Sequence, residues 1–420
     1  MNKILVNGGE RLCGEVQIGG SKNAALPLLF AGILTGDTCV FSSLPRVSDV
    51  LVTLEILRFL GARIHFAKNG DVVIDYSDMR PLMPSGRLTG AIRGSVYLLG
   101  AMLGRFGRVT LARSGGCDFG TRPIDQHLMG FSLLGAAERS AEGKLSLVAA
   151  NGLCGREICL KMPSVGATAN LMMAATAATG KTVIRNAAAE PHIAALGDFL
   201  QRAGARISGV GTDTVIVEGA KPLSGCAVKV IPDMIEAGTY LCAAMATGGE
   251  VTVRGVHTDE LGSVLATLDA MGAYLQTGAD FVTLAAPREY TAVSITTGPY
   301  PAFPTDLHPQ FAALFSLGDR AVGVGKITEA VWQERFRYTE ELKKMGAVVD
   351  ISGKEARFYP ARLSPSLVRS PDLRGGAALL IAALSVHGRT EITNAATIGR
   401  GYEHLESKLH RLGADVRVIG

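Results

Sequence analysis

Cys117 stands among glycines in Ser114-Gly115-Gly116-Cys117-Asp118-Phe119-Gly120-Thr121-Arg122-Pro123-Ile124-Asp125, with Arg113 and Arg122 to either side. Guanidinium charge favours thiolate over thiol, and glycine lets the backbone reorganise. The stretch therefore predicts a mobile, reactive cysteine. An idle thiol in an ordinary surface loop is the plainer alternative, and the polar setting argues against it.

A second set of chemically capable residues stands where apolar helices are expected to begin. Lys22-Asn23, Arg93 and Ser164-Val165-Gly166 occupy such places in the first half of the chain. Asp233 with Glu236, Thr305-Asp306, and Asp372 with Arg374 do so in the second. A cation at a helix N-terminus opposes the macrodipole by ~0.3–1 kcal/mol. A bound phosphate or carboxylate would offset that, because backbone N–H groups and basic side chains act together on anions. Asp306 in Ala302-Phe303-Pro304-Thr305-Asp306 would then be a base beside anion-binding groups. The competing readings are structural: Arg374 paired with Asp372, and Asp306 as a helix cap.

These groups must be carried by a chain of 420 residues, 47% hydrophobic, with 51 glycines and one tryptophan, too long for a single core. The net charge of +4 is spread without a basic run, so no nucleic-acid footprint is expected, while a small anionic ligand fits. Seven cysteines without Cys-x-x-Cys spacing and eight histidines without a ligand pattern speak against a disulfide scaffold or a zinc site. Residues 1–10 lack the apolar core of a signal peptide, and apolar runs such as Ala377 to Val386 are too short to span a membrane. A cytoplasmic protein is expected.

The positioning elements recur. Leu60-Gly61-Ala62, Leu134-Gly135-Ala136, Ala203-Gly204-Ala205, Met271-Gly272-Ala273, Met345-Gly346-Ala347 and Leu412-Gly413-Ala414 repeat at roughly 70-residue spacing. Each glycine follows an amphipathic run and precedes an alternating segment, as a helix-ending glycine should. Earlier in the unit lies a more apolar helix and a β-rich segment: Ala24 to Leu34 then Thr38 to Phe41, Ala167 to Ala178 then Thr182 to Arg185, Gly238 to Ala246 then Val251 to Arg254, Gly375 to Val386 then Thr390 to Thr393. The expected unit is strand, buried helix, strand, amphipathic helix, strand. Six such units suit two clusters of three, parted near residues 220 to 230, with the cleft between the halves as the default ligand site.

Taken together, Gly20-Ser21-Lys22-Asn23-Ala24-Ala25-Leu26-Pro27, Gly115-Gly116-Cys117, Arg122-Pro123-Ile124-Asp125, Pro163-Ser164-Val165-Gly166-Ala167-Thr168, Pro301-Ala302-Phe303-Pro304-Thr305-Asp306, Glu334-Arg335-Phe336, Asp372-Leu373-Arg374 and Arg400-Gly401-Tyr402-Glu403 resemble the motifs of the UDP-N-acetylglucosamine enolpyruvyl transferases, the MurA family of the EPSP synthase-like superfamily. The likeness runs from end to end, with the motifs in the same order. It implies a two-domain enolpyruvyl-transferase fold, an inside-out α/β barrel with three repeats per domain. Domain I would span 22–228 with the cysteine loop, and domain II 1–21 with 229–420.

The resemblance also implies a reaction: transfer of the enolpyruvyl group of phosphoenolpyruvate to the 3′-hydroxyl of UDP-N-acetylglucosamine, by addition and elimination, without metal or organic cofactor. Cys117 would be the acid, and Asp306 would act near the 3′-hydroxyl. Lys22, Arg122 and Arg400 would grip phosphate, Arg335 and Arg374 the carboxylate, with Arg93 also at the donor and Asp372 in the same set. Asn23 and Asp306 would read the sugar. Arg122, Pro123, Ile124, Asp125 and Gln126, with Ser164, Val165, Gly166 and Val331, would hold the uridine diphosphate. The cysteine loop would act as a lid.

Four places depart from the family pattern. Met162 stands where several members have lysine, Gln333 where glutamate is usual, His308 where glutamine is common, and Thr397-Ile398-Gly399 where His-Ile-Asp is typical. A paralogue acting on another uridine nucleotide is therefore the first alternative. A non-catalytic UDP-sugar sensor is the second; Cys117, Asp306, Lys22 and Arg400 argue against it, since binding alone needs no acid and base. Shikimate-pathway transfer shares the fold, but its branch lacks the cysteine loop.

Overall fold

A computed structural model describes residues 2–112, 124–141, 143–332 and 334–420. The chain forms two compact units: a continuous one, Gly20–Ile231, and a discontinuous one, Met1–Gly19 with Pro232–Gly420. Each encloses its own hydrophobic core. Among the described residues no helix is long and apolar enough to cross a membrane.

The repeats are visible as six identical helix endings. Gly61, Gly135, Gly204, Gly272, Gly346 and Gly413 all have φ between 94° and 108°, the left-handed region where a Cβ is penalised. At each, the glycine N–H bonds the carbonyl three residues back and the following alanine N–H the carbonyl five back, as in Gly61 to Arg58 and Ala62 to Leu57. These paired bonds close orphan carbonyls at the helix C-terminus.

The apolar helices lie at the centre of each unit. In the discontinuous unit Met234–Thr247, His308–Phe315 and Leu373–Ser385 pack on one another. In the continuous unit Leu98–Phe106 packs on both Lys22–Ala31 and Val165–Ala175. Burial rather than propensity decides for Leu373–Ser385. Its adjacent Gly375 and Gly376 cost about 1 kcal/mol each in a helix, yet Leu379, Leu380, Ile381 and Leu384 are buried, each worth about 1.5–3 kcal/mol. The glycines are required sterically. A Cβ on Gly376 would come within 2.5 Å of Ile398, and one on Gly375 within 2.8 Å of Tyr338.

Around these helices stand sheets whose strands alternate buried and exposed positions, as in Thr214–Glu218. The strand preceding each of three inner helices pairs in parallel within its own repeat: Glu157–Cys159 on Lys181–Arg185, Ser294–Thr296 on Gly325–Thr328, and Leu367–Arg369 on Gly388–Thr393. Two repeats exchange this strand. Cys13–Gln17, which precedes Lys22–Ala31, pairs with Glu250–Arg254, whereas Ala227–Lys229, which precedes Met234–Thr247, pairs with Thr38–Ser42. That exchange is why the chain passes between the units at two places, after Gly19 and after Ile231.

Candidate functional site

In the discontinuous unit Asp306 joins two arginines from distant segments. Its Oδ1 accepts from Arg335 Nη2 at 2.8 Å, and its Oδ2 accepts from Arg374 Nε at 3.2 Å and Nη2 at 3.1 Å. Asp306 is therefore no helix cap: the following helix, His308–Phe315, begins without a side-chain cap. Arg374 is 2% exposed and lies 5.6 Å over the Tyr402 ring. Burial alone would weaken its hold on the proton, but the Asp306 charge outweighs it and holds the guanidinium above its ordinary range. Arg335 Nε and Arg374 Nη1 are buried without hydrogen-bond partners among the described residues.

Asp372 does cap its helix, accepting at Oδ1 from the backbone N–H groups of Arg374 at 2.9 Å and Gly375 at 3.0 Å. The Arg374 side chain is thereby left to Asp306 rather than to its near neighbour. Arg400 ends the short 3-10 segment Ala395–Arg400 and is half-buried. Within that segment the Thr397 hydroxyl lies 2.6 Å from Ser370 Oγ. Ile398 is fully buried.

The segment before Arg335 is tied to the segment before Asp306 by Glu329, 1% exposed. Its Oε1 accepts from Val331 N–H at 2.7 Å and Trp332 N–H at 2.8 Å, and its Oε2 from Thr305 Oγ1 at 2.8 Å. His308, fully buried, places Nε2 3.2 Å from Glu329 Oε2 without full hydrogen-bond alignment. Its Nδ1 lies 3.1 Å from the Tyr338 hydroxyl. Burial, then the Arg335 charge, pushes His308 well below the usual histidine range, so the ring is neutral. A carboxylate only accepts, which favours the Nε2–H tautomer with Nδ1 accepting from Tyr338. His308 is thus a buried neighbour of both Glu329 and Tyr338.

In the continuous unit Lys22 opens Lys22–Ala31, a helix capped by Ser21, and its Nζ lies 3.4 Å from Asp49 Oδ2. The lysine is 12% exposed and the aspartate 5%. The charge that opposes the helix dipole is therefore balanced within the protein. Asn23 follows in the same turn, half-buried. Arg93 opens the short 3-10 segment Arg93–Tyr97, and its charge is felt at Tyr97 and His127.

The nucleotide candidates form two adjoining segments of this unit. Gln126 Oε1 accepts from the backbone N–H groups of Lys161 at 2.8 Å and Met162 at 3.4 Å, joining the start of Asp125–Leu133 to the stretch before Val165–Ala175. Ser164 caps the latter helix, accepting from Ala167 N–H, so Val165 and Gly166 form its first turn. Met162 is 49% exposed and brings no charge, but Lys161 beside it reaches Asp125 at 3.8 Å. His127 lies under this turn: a Cβ on Gly166 would stand 2.8 Å from its Nε2. Among the described residues both ring nitrogens are buried without partners, and burial, then the Arg93 charge, lowers its pKa to about 4. Ile124 directly precedes the helix carrying Asp125.

Cys117, Arg122, Pro123 and Gln333 lie outside the described residues. The structure brings Asp306, Arg335 and Arg374 together, and separately joins Asp125 and Gln126 to the approach to Ser164, Val165 and Gly166. Sequence reasoning missed Asp49, His127 and Glu329, and gave Tyr402 no role. Their signals were proximity in sequence to quoted motifs: His127 follows Gln126, and Glu329 precedes Val331.

Residues 6–409 match the family model described as EPSP synthase (3-phosphoshikimate 1-carboxyvinyltransferase). A relative from Caldanaerobacter subterraneus subsp. tengcongensis named UDP-N-acetylglucosamine 1-carboxyvinyltransferase 3 is 42% identical over 417 residues, 99% of each chain. One from Halothermothrix orenii named UDP-N-acetylglucosamine 1-carboxyvinyltransferase is 41% identical over 419 residues, 100% of each. Among solved structures, the enolpyruvyl transferase NikO from Streptomyces tendae superposes with a TM-score of 0.88 at 28% identity, covering 99% of this chain and 98% of the other. EPSP synthase from Acinetobacter baumannii, at 19% identity and a TM-score of 0.75 over the whole of both chains, shares the fold. The repeats, the paired units and these full-length likenesses agree: the chain has the two-domain α/β enolpyruvyl-transferase fold and belongs to the EPSP synthase family.

Proposed function

We propose that this protein transfers the enolpyruvyl group of phosphoenolpyruvate to the 3′-hydroxyl of UDP-N-acetylglucosamine and releases phosphate, as a cytoplasmic step of peptidoglycan synthesis. The observation that carries this reading is the full-length likeness to relatives bearing that activity in their names. The Asp306–Arg335–Arg374 cluster supports it chemically.

The acceptor oxygen adds to C2 of phosphoenolpyruvate while a proton reaches its methylene carbon, giving a tetrahedral adduct. Loss of phosphate and of one methyl proton then restores the double bond. Cys117 supplies the proton, and Lys22, Arg122 and Arg400 bind the phosphate whose negative charge grows as it leaves. Arg335 and Arg374 hold the carboxylate. That carboxylate competes with Asp306 for the same N–H groups, so donor binding frees an Asp306 oxygen to accept from the 3′-hydroxyl. Asn23 and Asp306 orient the sugar. Arg122, Pro123, Ile124, Asp125, Gln126, Ser164, Val165, Gly166 and Val331 hold the nucleotide, Arg93 reaches the donor, and Asp372 fixes the backbone of Arg374.

Phosphate release from phosphoenolpyruvate tests this, with UDP-N-acetylglucosamine, UMP, other UDP-sugars and shikimate 3-phosphate as separate acceptors. Release with UDP-N-acetylglucosamine alone is expected. Release only with another nucleotide would make the protein a paralogue, and silence with all of them would favour the sensor reading.

A further inference from the structure

We infer that Glu329 is a positioning residue for the reaction, fixing Asp306 relative to Val331 and Arg335, with His308 as its buried support; this rests on the function proposed above. Glu329 touches none of the groups assigned to substrate by side chain, yet it is an almost fully buried carboxylate. Burying such a charge is expensive unless its lone pairs are filled. Here one oxygen is filled by the Val331 and Trp332 amides, and the other by the Thr305 hydroxyl with His308 beside it. The two oxygens thus reach two chain segments. One carries Asp306 directly after Thr305; the other carries Val331 and runs on to Arg335.

The same residue therefore sets the spacing between the carboxylate that meets the acceptor and the residues that hold nucleotide and donor. His308 extends the clamp into the core through Tyr338, whose phenol is held protonated by burial and so can donate. A neutral ring suits this place. Protonated, it would add a second positive charge beside Arg335.

Glu329→Ala should lower kcat/KM by about 10²-fold, since a misplacement near 1 Å in a catalytic group has that effect. Thr305→Val, which removes one 2.8 Å bond at constant shape, should lower it about tenfold. Glu329→Gln should recover most of the loss, because its oxygen still accepts from both amides while its NH₂ can face Thr305 Oγ1. In an Asp306→Ala background the effect of Glu329→Ala should shrink to within about twofold. An equal loss in both backgrounds, or a lower Tm with unchanged kcat/KM per folded molecule, overturns the proposal.

A second measurement needs no substrate, so failure of the functional reading cannot mask this one. Thr305→Val should speed amide exchange at Val331 and Trp332 at least about tenfold, although Thr305 bonds neither amide. Unchanged exchange in that variant means Glu329 does not link the segments.

Discussion

Asp306 is held by a guanidinium with almost no access to water, so its charge has a structural as well as a chemical consequence. Asp306→Asn keeps the shape and removes the countercharge of Arg374, which should cost about 3 kcal/mol in urea unfolding. Turnover should fall by ~10²–10⁴-fold if the carboxylate serves the acceptor hydroxyl; near-normal turnover would remove Asp306 from the chemistry. His127 gives a pH signature. Its folded pKa, lowered to about 4 from an ordinary 6.5, means the unfolded chain takes up the proton first as pH falls. Its neutral-state contribution is complete above about 6.5 and is lost as pH drops to about 4, up to about 3 kcal/mol. His308 acts with the same sign. His127→Gln should flatten stability against pH in that window, measured by urea titration at half-unit steps. By the family resemblance, a thiolate at Cys117 should be alkylated by the epoxide antibiotic fosfomycin in the presence of nucleotide. Intact mass after incubation reads this directly, and Cys117→Asp should turn over while resisting the drug.

The inner helices hold the site by approaching closely. Gly100 of Leu98–Phe106 donates its N–H to Asn170 Oδ1 at 2.7 Å, and a Cβ there would stand 2.3 Å from the Asn170 backbone oxygen. Gly100→Ala must therefore push Val165–Ala175 outward, at about 1–3 kcal/mol, and carry Ser164 and Gly166 with it. Calorimetry should show weaker UDP-N-acetylglucosamine binding in this variant; unchanged affinity would argue against that helix N-terminus as the nucleotide site. The helices and their glycine endings were legible in the sequence, because apolar periodicity and a left-handed glycine are local properties. Gly100 was not singled out, because nothing within its own helix shows which backbone will lie against it.

For the whole molecule, the strand exchange makes the two units unequal in sequence while alike in content. Every strand of the sheets built on Thr38–Ser42, Lys144–Val148 and Lys181–Arg185 lies within Gly20–Ile231. A fragment 20–231 should therefore fold alone and unfold cooperatively in urea by circular dichroism; a gradual, non-sigmoidal loss would show its core to be incomplete. The sequence by itself determined six repeats, their helix endings, and the charged residues at the helix starts, since each depends on neighbours a few positions away. It also carried motifs sufficient to place the chain in its family. Only the tertiary structure decided that Arg374 turns to Asp306, 68 positions away, rather than to Asp372 two away. It likewise decided that His308 is buried beside Glu329 and Tyr338, and which sheet each opening strand joins. Those choices depend on contacts between segments far apart in the chain, where packing and the burial of charge, not local spacing, set the lowest free energy.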